Sequence, residues 1–308
     1  MNERNELQKM VDQIVADYPE KAVFRPVLEK EILHYDILFA LSRENLLQNL
    51  IFQGGTSLRL CYGGVRYSED LNFAGGKAFV STDVSNIKEA IEDHIGSRYR
   101  LDVAVKYPKD MRTEPDYDNV RVDKWQVAIE TSPGRRDMPK QKIKLEIANI
   151  PAYTSEARFL HLNYPNLPVT YADLVLQVES ATEIMADKVV SLCASTKHIR
   201  YRDIWDLVWL SKKGFAPNYE LIAKKTLDYQ IDGFDEMVKM RVQSLPSLIE
   251  SFMVEMNRFV PSKDMQPWSN EAYKRAALTR ISELLMEASK TPLLQTDEIK
   301  GNSLPPEP

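Results

Sequence analysis

The stretch IFQGGTSLRLCYGGVRYSEDLNF, residues 51–73, decides how the chain is read. A short apolar run ends at Gly54-Gly55, the pattern of a buried strand leading into a turn. Thr56 or Ser57 is placed to cap a short helix, which Gly63-Gly64 ends. Leu71-Asn72-Phe73 then alternates with period two, so Leu71 and Phe73 point into a core while Asp70 and Asn72 share the other face. Two short oxygen-bearing side chains held side by side on a strand suit a divalent cation. The glycine turn suits an anion, because backbone N–H groups can approach it and the helix N-terminus adds partial positive charge. The Thr56 and Ser57 hydroxyls are further candidate donors. Taken alone, a tight turn beside a solvated acidic strand end is the favoured reading.

On either side of this stretch the elements follow from periodicity. Residues 4–17 and 23–43 read as amphipathic helices, the second with Val27, Leu28, Ile32, Ile37, Leu38 and Leu41 at helical spacing. A helix at 83–98 precedes strands at 101–106, 120–131 and 142–150. After Pro151 the character changes: a coil rich in Pro, Asn and Tyr runs through YPNLPVTYAD, and then come helices at 180–196, 201–213, 218–228, 233–257 (broken near Pro246) and 270–289. The expected division is an α+β domain over 1–165, a helical domain over 166–290 and a disordered tail over 291–308.

The 308-residue chain, with a formal net charge of −5, is ordinary in composition for a folded globular protein and long enough for two domains. No apolar run is long enough to span a membrane. MNERNELQKM is charged and lacks the apolar core of a secretory signal. Cys61 and Cys193 lie in apolar periodic contexts and read as buried thiols in a reducing compartment, so a cytoplasmic location is expected. The acidic balance argues against nucleic-acid binding by the whole surface, but Lys140, Lys142, Lys144, Lys197, Arg200 and Arg202 are candidates for a local basic groove.

Two further constellations carry chemistry. On the strand KIKLEIANI, Lys144 and Glu146 share one face, which puts a third carboxylate beside Asp70 if the two strands are neighbours; a surface Lys–Glu pair is the common alternative. In ADKVVSLCASTKHIRYRDIWDL, Lys188 lies among small and apolar residues, and Asp203 borders an apolar helical face. These two either meet as a buried pair pinning two helices or both face a cleft. Arg202 and Asp206, at i,i+4, read as a helix ion pair. The four histidines show no ligand spacing, and no nucleophile elbow or P-loop is present.

Together, VLEKEILHYDILFAL, LIFQGGTSLRLCYGGVRYSEDLNF, IKLEI and ADKVVSLCAS…RYRDIWDL resemble the AbiEii/AbiGii toxin family of nucleotidyltransferases over roughly residues 20 to 210. The combination R-x-S-E-D-L-x-F after G-G-T-x-L is specific. The resemblance implies a DNA polymerase β-like nucleotidyltransferase fold, a mixed sheet with helices followed by a helical domain. It implies a toxin of a toxin–antitoxin or phage-defence pair that transfers a nucleotide from an NTP, with Mg²⁺ or Mn²⁺, to an acceptor such as the tRNA 3′ end. A cognate antitoxin encoded nearby is implied as well. By position, Gly54, Gly55 and Thr56, with Ser57, match the nucleotide-phosphate turn. Asp70 matches the first metal-binding acid, Asn72 sits at the second, and Glu146 matches a third more loosely. Lys188, with Lys144, would contact the triphosphate, and Asp203 would organise the site.

The departure is Asn72, where the family pattern has an acid. An amide offers one neutral oxygen and cannot bridge two cations. A natural variant with altered metal use, a catalytically inert relative and a deliberate Asp→Asn change all stay open. So do two other functions: a pseudoenzyme that binds a nucleotide or a partner, and a nucleotidyltransferase acting on a protein or small molecule.

Overall fold

The computed structural model describes residues 5–134 and 138–291. Helices α1 (Glu6–Asp17) and α2 (Arg25–Arg43) precede strand β1 (Ile51–Gln53), helix α3 (Gly54–Cys61) and strand β2 (Leu71–Ala74). Helix α4 (Ile87–Tyr99) leads to β3 (Val103–Lys106), β4 (Val122–Ile129), β5 (Gln141–Ala148), β6 (Ser155–Phe159) and β7 (Val175–Glu179). The strands form one sheet in the order β3-β4-β5-β2-β1-β7-β6. The β2–β5 and β1–β7 pairs are parallel and the others antiparallel.

Period-two alternation gives this sheet two unlike faces. Phe52, Leu71, Phe73, Trp125, Val127, Ile143, Leu145, Ile147 and Val178 are buried on one face, in a core shared with α1, α2 and α4. The other face carries Gln53, Asn72, Lys124, Gln126, Lys142, Lys144 and Glu146. Helix α2 is buried nearly all round, and its polar residues have partners: Arg59 donates to Glu31 at 2.9 Å, and Tyr99 donates to Asp36 at 2.8 Å.

A second core joins α5 (Ala181–Ala194), α6 (Tyr201–Lys212), α7 (Tyr219–Asp228), α8 (Phe234–Ser244), α9 (Ile249–Met256), α10 (Ser262–Met265) and α11 (Glu271–Ala288). Pro246 sits in a 3₁₀ turn, Leu245–Leu248, which makes the expected break. At the head of this half Lys225 is fully buried, with Nζ 2.7 Å from Glu179, 2.7 Å from Glu183 and 3.5 Å from Asp187.

Several expectations need correction. The sheet does not end by residue 165. β7 pairs with β1 through Phe52 and Val178 and places Ser180 as the N-cap of α5, so we put the division near Ser180 rather than at 165/166. The strands at 155–159 and 175–179 flank the expected coil, and neither was expected. Thr56 and Ser57 are not caps: α3 begins at Gly54, whose φ of +82° suits glycine. The expected disordered tail, apart from Thr291, lies outside the described residues. Cys61 and Cys193 are buried free thiols, and burial pushes both up to about 12. Among the described residues no helix is long and apolar enough to cross a membrane.

Candidate functional site

The open face of the sheet brings the turn and the acids together. In the ladder Gln53 lies opposite Asn72, and Asn72 opposite Glu146. Asp70 immediately precedes β2 and, two residues before Asn72, shares its face; its Oδ1 accepts from the Lys144 backbone N–H at 3.3 Å. A Cβ built on Gly54 would lie 3.4 Å from the Asn72 side chain, so the turn sits close to the middle of the row and a larger residue there would press on it.

Electrostatics mark Asp70. Burial, with the negative charges of Glu146 and Glu69, raises its pKa above the usual aspartate value, and the Lys144 charge and backbone N–H oppose this in part. Glu146 pairs with Lys124 at 3.0 Å, not with Lys144. Among the described residues no three His, Cys, Asp or Glu side chains are grouped to hold a metal. The donor set is two carboxylates with an amide between them. It fits a hard divalent cation in kind, since a partly desolvated Asp70 beside a second carboxylate gains from one, but it is one acid short.

Thr56 and Ser57 are differently engaged. The Thr56 hydroxyl donates to the Asp70 carbonyl oxygen and that of Ser57 to the Gly54 carbonyl oxygen, and both residues are buried. They brace the turn, and its backbone N–H groups are what it can offer a phosphate.

Beneath the turn lies a charge network that the sequence reading missed in part. Lys188 on α5 donates to Asp203 on α6 at 2.7 Å and lies 3.1 Å from Asp206. Arg66 meets Asp206 in a two-pronged pair, 2.8 Å on each prong, and is itself buried. The expected Arg202–Asp206 pair does not form; Asp206 belongs to Arg66 and Lys188. A Cβ on Gly55 would come within 2.4 Å of the Arg66 guanidinium, so the second glycine is required by packing. Burial works against the Lys188 charge, but Asp203 and Asp206 outweigh it and raise its pKa, so it is a firm ammonium. Lys188 therefore lies one ion pair from the guanidinium under the turn, and its charge is matched by two aspartates.

Arg202 is occupied elsewhere. Glu69, next to Asp70, accepts from Lys30 on α2 at 2.7 Å and from Arg202 on α6 at 2.9 Å. Burial would raise the Glu69 carboxyl, but these two cations hold it below the usual value. The segment 66–70 thus ties both halves of the chain to the residue that carries Asp70.

His34 supports the same segment. Burial pushes it down to about 4, so it is neutral near pH 7 and its Nε2–H donates to the Glu69 carbonyl oxygen at 3.1 Å. The unfolded chain takes up this proton first. Stability is therefore expected to be lost as pH falls from 6.5 through about 4, by about 3 kcal/mol. Urea titrations across that range should show the loss, and His34→Gln, which keeps a donor but does not titrate, should remove it. An unchanged pH slope in the variant would assign the loss to other groups.

A mixed sheet with a glycine turn and an acid-bearing row on its open face, followed by a helical half, defines the class of architecture. The family model described as nucleotidyl transferase AbiEii toxin, type IV TA system, matches residues 36–284. The chain belongs to this family of toxin nucleotidyltransferases. No curated protein matches it. The crystal structure of JHP933 from Helicobacter pylori is similar at 19% identity and a TM-score of 0.46, with 86% of this chain and 93% of that one covered. A putative nucleotidyltransferase from H. pylori is similar at 19% identity and a TM-score of 0.44, covering 86% and 96%.

Proposed function

We propose that this chain acts in the cytoplasm as the toxin of a toxin–antitoxin or phage-defence module, with a cognate antitoxin encoded nearby. It transfers a nucleoside monophosphate from an NTP to an acceptor hydroxyl, with the tRNA 3′ end as the favoured acceptor. The observation that carries this is the row on the open face in which Asn72 lies opposite Gln53, next to the Gly54 turn, and opposite Glu146, with Asp70 flanking it.

The N–H groups at Gly54 and Gly55 bind the phosphates at the start of α3. Asp70, the Asn72 amide oxygen and Glu146 would hold Mg²⁺, or Mn²⁺, which when bound lowers the pKa of the attacking hydroxyl and offsets charge on the leaving pyrophosphate. The acceptor oxygen bonds to the α-phosphorus, the α–β bridge breaks, pyrophosphate leaves, and the hydroxyl proton passes to Glu146 or solvent. Asp203 and Asp206 keep Lys188 charged and aimed, and a triphosphate reaching it competes with those two carboxylates.

A second reading, a pseudoenzyme that binds a nucleotide or a partner without transfer, is favoured by the missing acid at position 72, while the retained Lys188 and Asp203 count against it. One assay separates the two. The chain with each labelled NTP, Mg²⁺ and total RNA is expected to put label into tRNA-sized RNA. Label in protein or small molecules would move the acceptor elsewhere. NTP binding by calorimetry with no label transferred anywhere would establish the pseudoenzyme.

A further inference from the structure

Beyond the acid row, the open face of the sheet is basic. Lys106 on β3, Lys124 on β4, and Lys142 and Lys144 on β5 are all exposed. Their register puts them on one face: Lys106 and Lys144 both lie opposite Gln126, Lys142 opposite Ala128, and Lys124 opposite Glu146. Lys124 is engaged by Glu146, and Lys140, at the start of this line, by Glu130 at 3.4 Å. Among the described residues none of Lys106, Lys142 and Lys144 has a carboxylate within 4 Å, and of the three Lys144 has its charge set against Asp70. In a chain of net charge −5, these three lysines are gathered on the sheet face that carries the carboxylates of the site.

Their side of the row gives them a role. The glycine turn lies on the β1 side of β2, and the lysines lie on the β5-β4-β3 side. Transfer at phosphorus is an in-line displacement, with attacking and leaving oxygens on opposite sides. With the leaving phosphates at Gly54 and Gly55, the attacking hydroxyl has to arrive over β5. Lys144 and Lys142 then run back from Glu146 along that strand about 7 Å apart, and Lys106 lies two strands over. Only Gln126 and Ala128 lie between them, which offers apolar side chains of a peptide little but suits a chain of repeating negative charge.

We propose that this strip is the acceptor subsite and that it holds a single-stranded RNA end. The terminal hydroxyl lies at the Asp70–Glu146 row, and the preceding phosphates run over Lys144 and Lys142 towards Lys106. This rests on the reading that the NTP phosphates sit at the glycine turn, and it moves Lys144 from the nucleotide to the acceptor.

The test is binding of a fluorescein-labelled stem–loop RNA with a single-stranded 3′ end to the full chain, by anisotropy over about 50 to 300 mM NaCl. The Lys106→Gln/Lys142→Gln double variant is expected to bind this RNA roughly tenfold more weakly at low salt. Its slope of log affinity against log salt should be shallower by about 1.4, or ~0.7 for each phosphate no longer neutralised. NTP affinity by calorimetry and the unfolding temperature should be unchanged, and in transfer assays the RNA KM should rise with kcat retained. Unchanged RNA affinity and slope, or no RNA binding by the wild-type chain, would overturn the proposal. Equal losses of RNA and NTP binding would return the lysines to the nucleotide. Lysine-dependent binding of a polyglutamate peptide but not of RNA would make the acceptor an acidic protein. If the wild-type chain bound RNA through these lysines but no NTP, the acceptor strip would stand and the transferase reading would fall.

Discussion

Asn72→Asp is expected to raise nucleotide transfer by about a hundredfold or more, since each ~1.4 kcal/mol of transition-state stabilisation is tenfold in rate and one metal contributes several. The two side chains are nearly isosteric, and position 72 lies in a ladder between Gln53 and Glu146. What changes is charge. Burial, Glu146 and Glu69 already raise the Asp70 carboxyl, so a further acid beside it has to gain a cation or a proton. The variant should therefore melt lower than the Asn72 chain in chelator and recover more when Mg²⁺ or Mn²⁺ is added. Transfer would be measured for both forms and for an Asp70→Ala control across a series of both metals. Equal rates for amide and acid would remove position 72 from the ligand set. If Asn72 is a natural adaptation, the gain shrinks because other ligands have adjusted; if it replaced an acid, the restored form should also arrest bacterial growth.

The largest stability effect is expected from Lys225→Met, at about 3–5 kcal/mol, because it strands buried carboxylates without their cation. Lys225 is wholly buried and reaches Glu179, Glu183 and Asp187, which lie at four-residue intervals across the end of β7 and α5. The loss should depend on pH. Burial raises Glu179 well above its ordinary value of 4.5, and Asp187 is raised too, while burial of Glu183 is outweighed by Lys225 and hydrogen bonds that lower it. Removing the ammonium pushes all three upward. For a group raised in the folded state, the folded chain holds the proton more tightly, so its contribution is full below 4.5 and lost as pH rises through the raised value. The variant's deficit in urea should thus be larger at pH 8 than at pH 5. A deficit independent of pH would mean that lost packing, not stranded charge, sets the cost.

What was legible in the sequence was local. Alternation alone put Asp70 and Asn72 on one face and Glu146 on a polar strand face, and the ladder joins those faces. The Lys188–Asp203 contact was one of two geometries left open. Arg66–Asp206 was not legible, because partners 140 residues apart leave no local mark, and the i,i+4 spacing of Arg202 and Asp206 offered a false partner. β7 was hidden by the Pro- and Asn-rich coil before it, although LVLQVE alternates. β6 was hidden because SEARF is an edge strand with largely exposed positions. The stripe Glu179, Glu183, Asp187 was a usable signal: three acids on one side of an otherwise apolar segment call for a buried cation.

The strand order carries a consequence for how the protein is made. β1 emerges early and can pair at once with β2, but its other neighbour is β7, more than 120 residues later. The parallel β2–β5 pair likewise waits for residues 141–148. Closures this distant are slow to form, so refolding of the chain should be slow for its size. Until β7 arrives, one edge of β1 is open to pairing with another chain, a point of exposure for aggregation during synthesis. The row from Gln53 to Glu146 cannot assemble before β5 is made, so on the proposed site a truncated product ending short of β5 lacks Glu146 and is expected to be inactive.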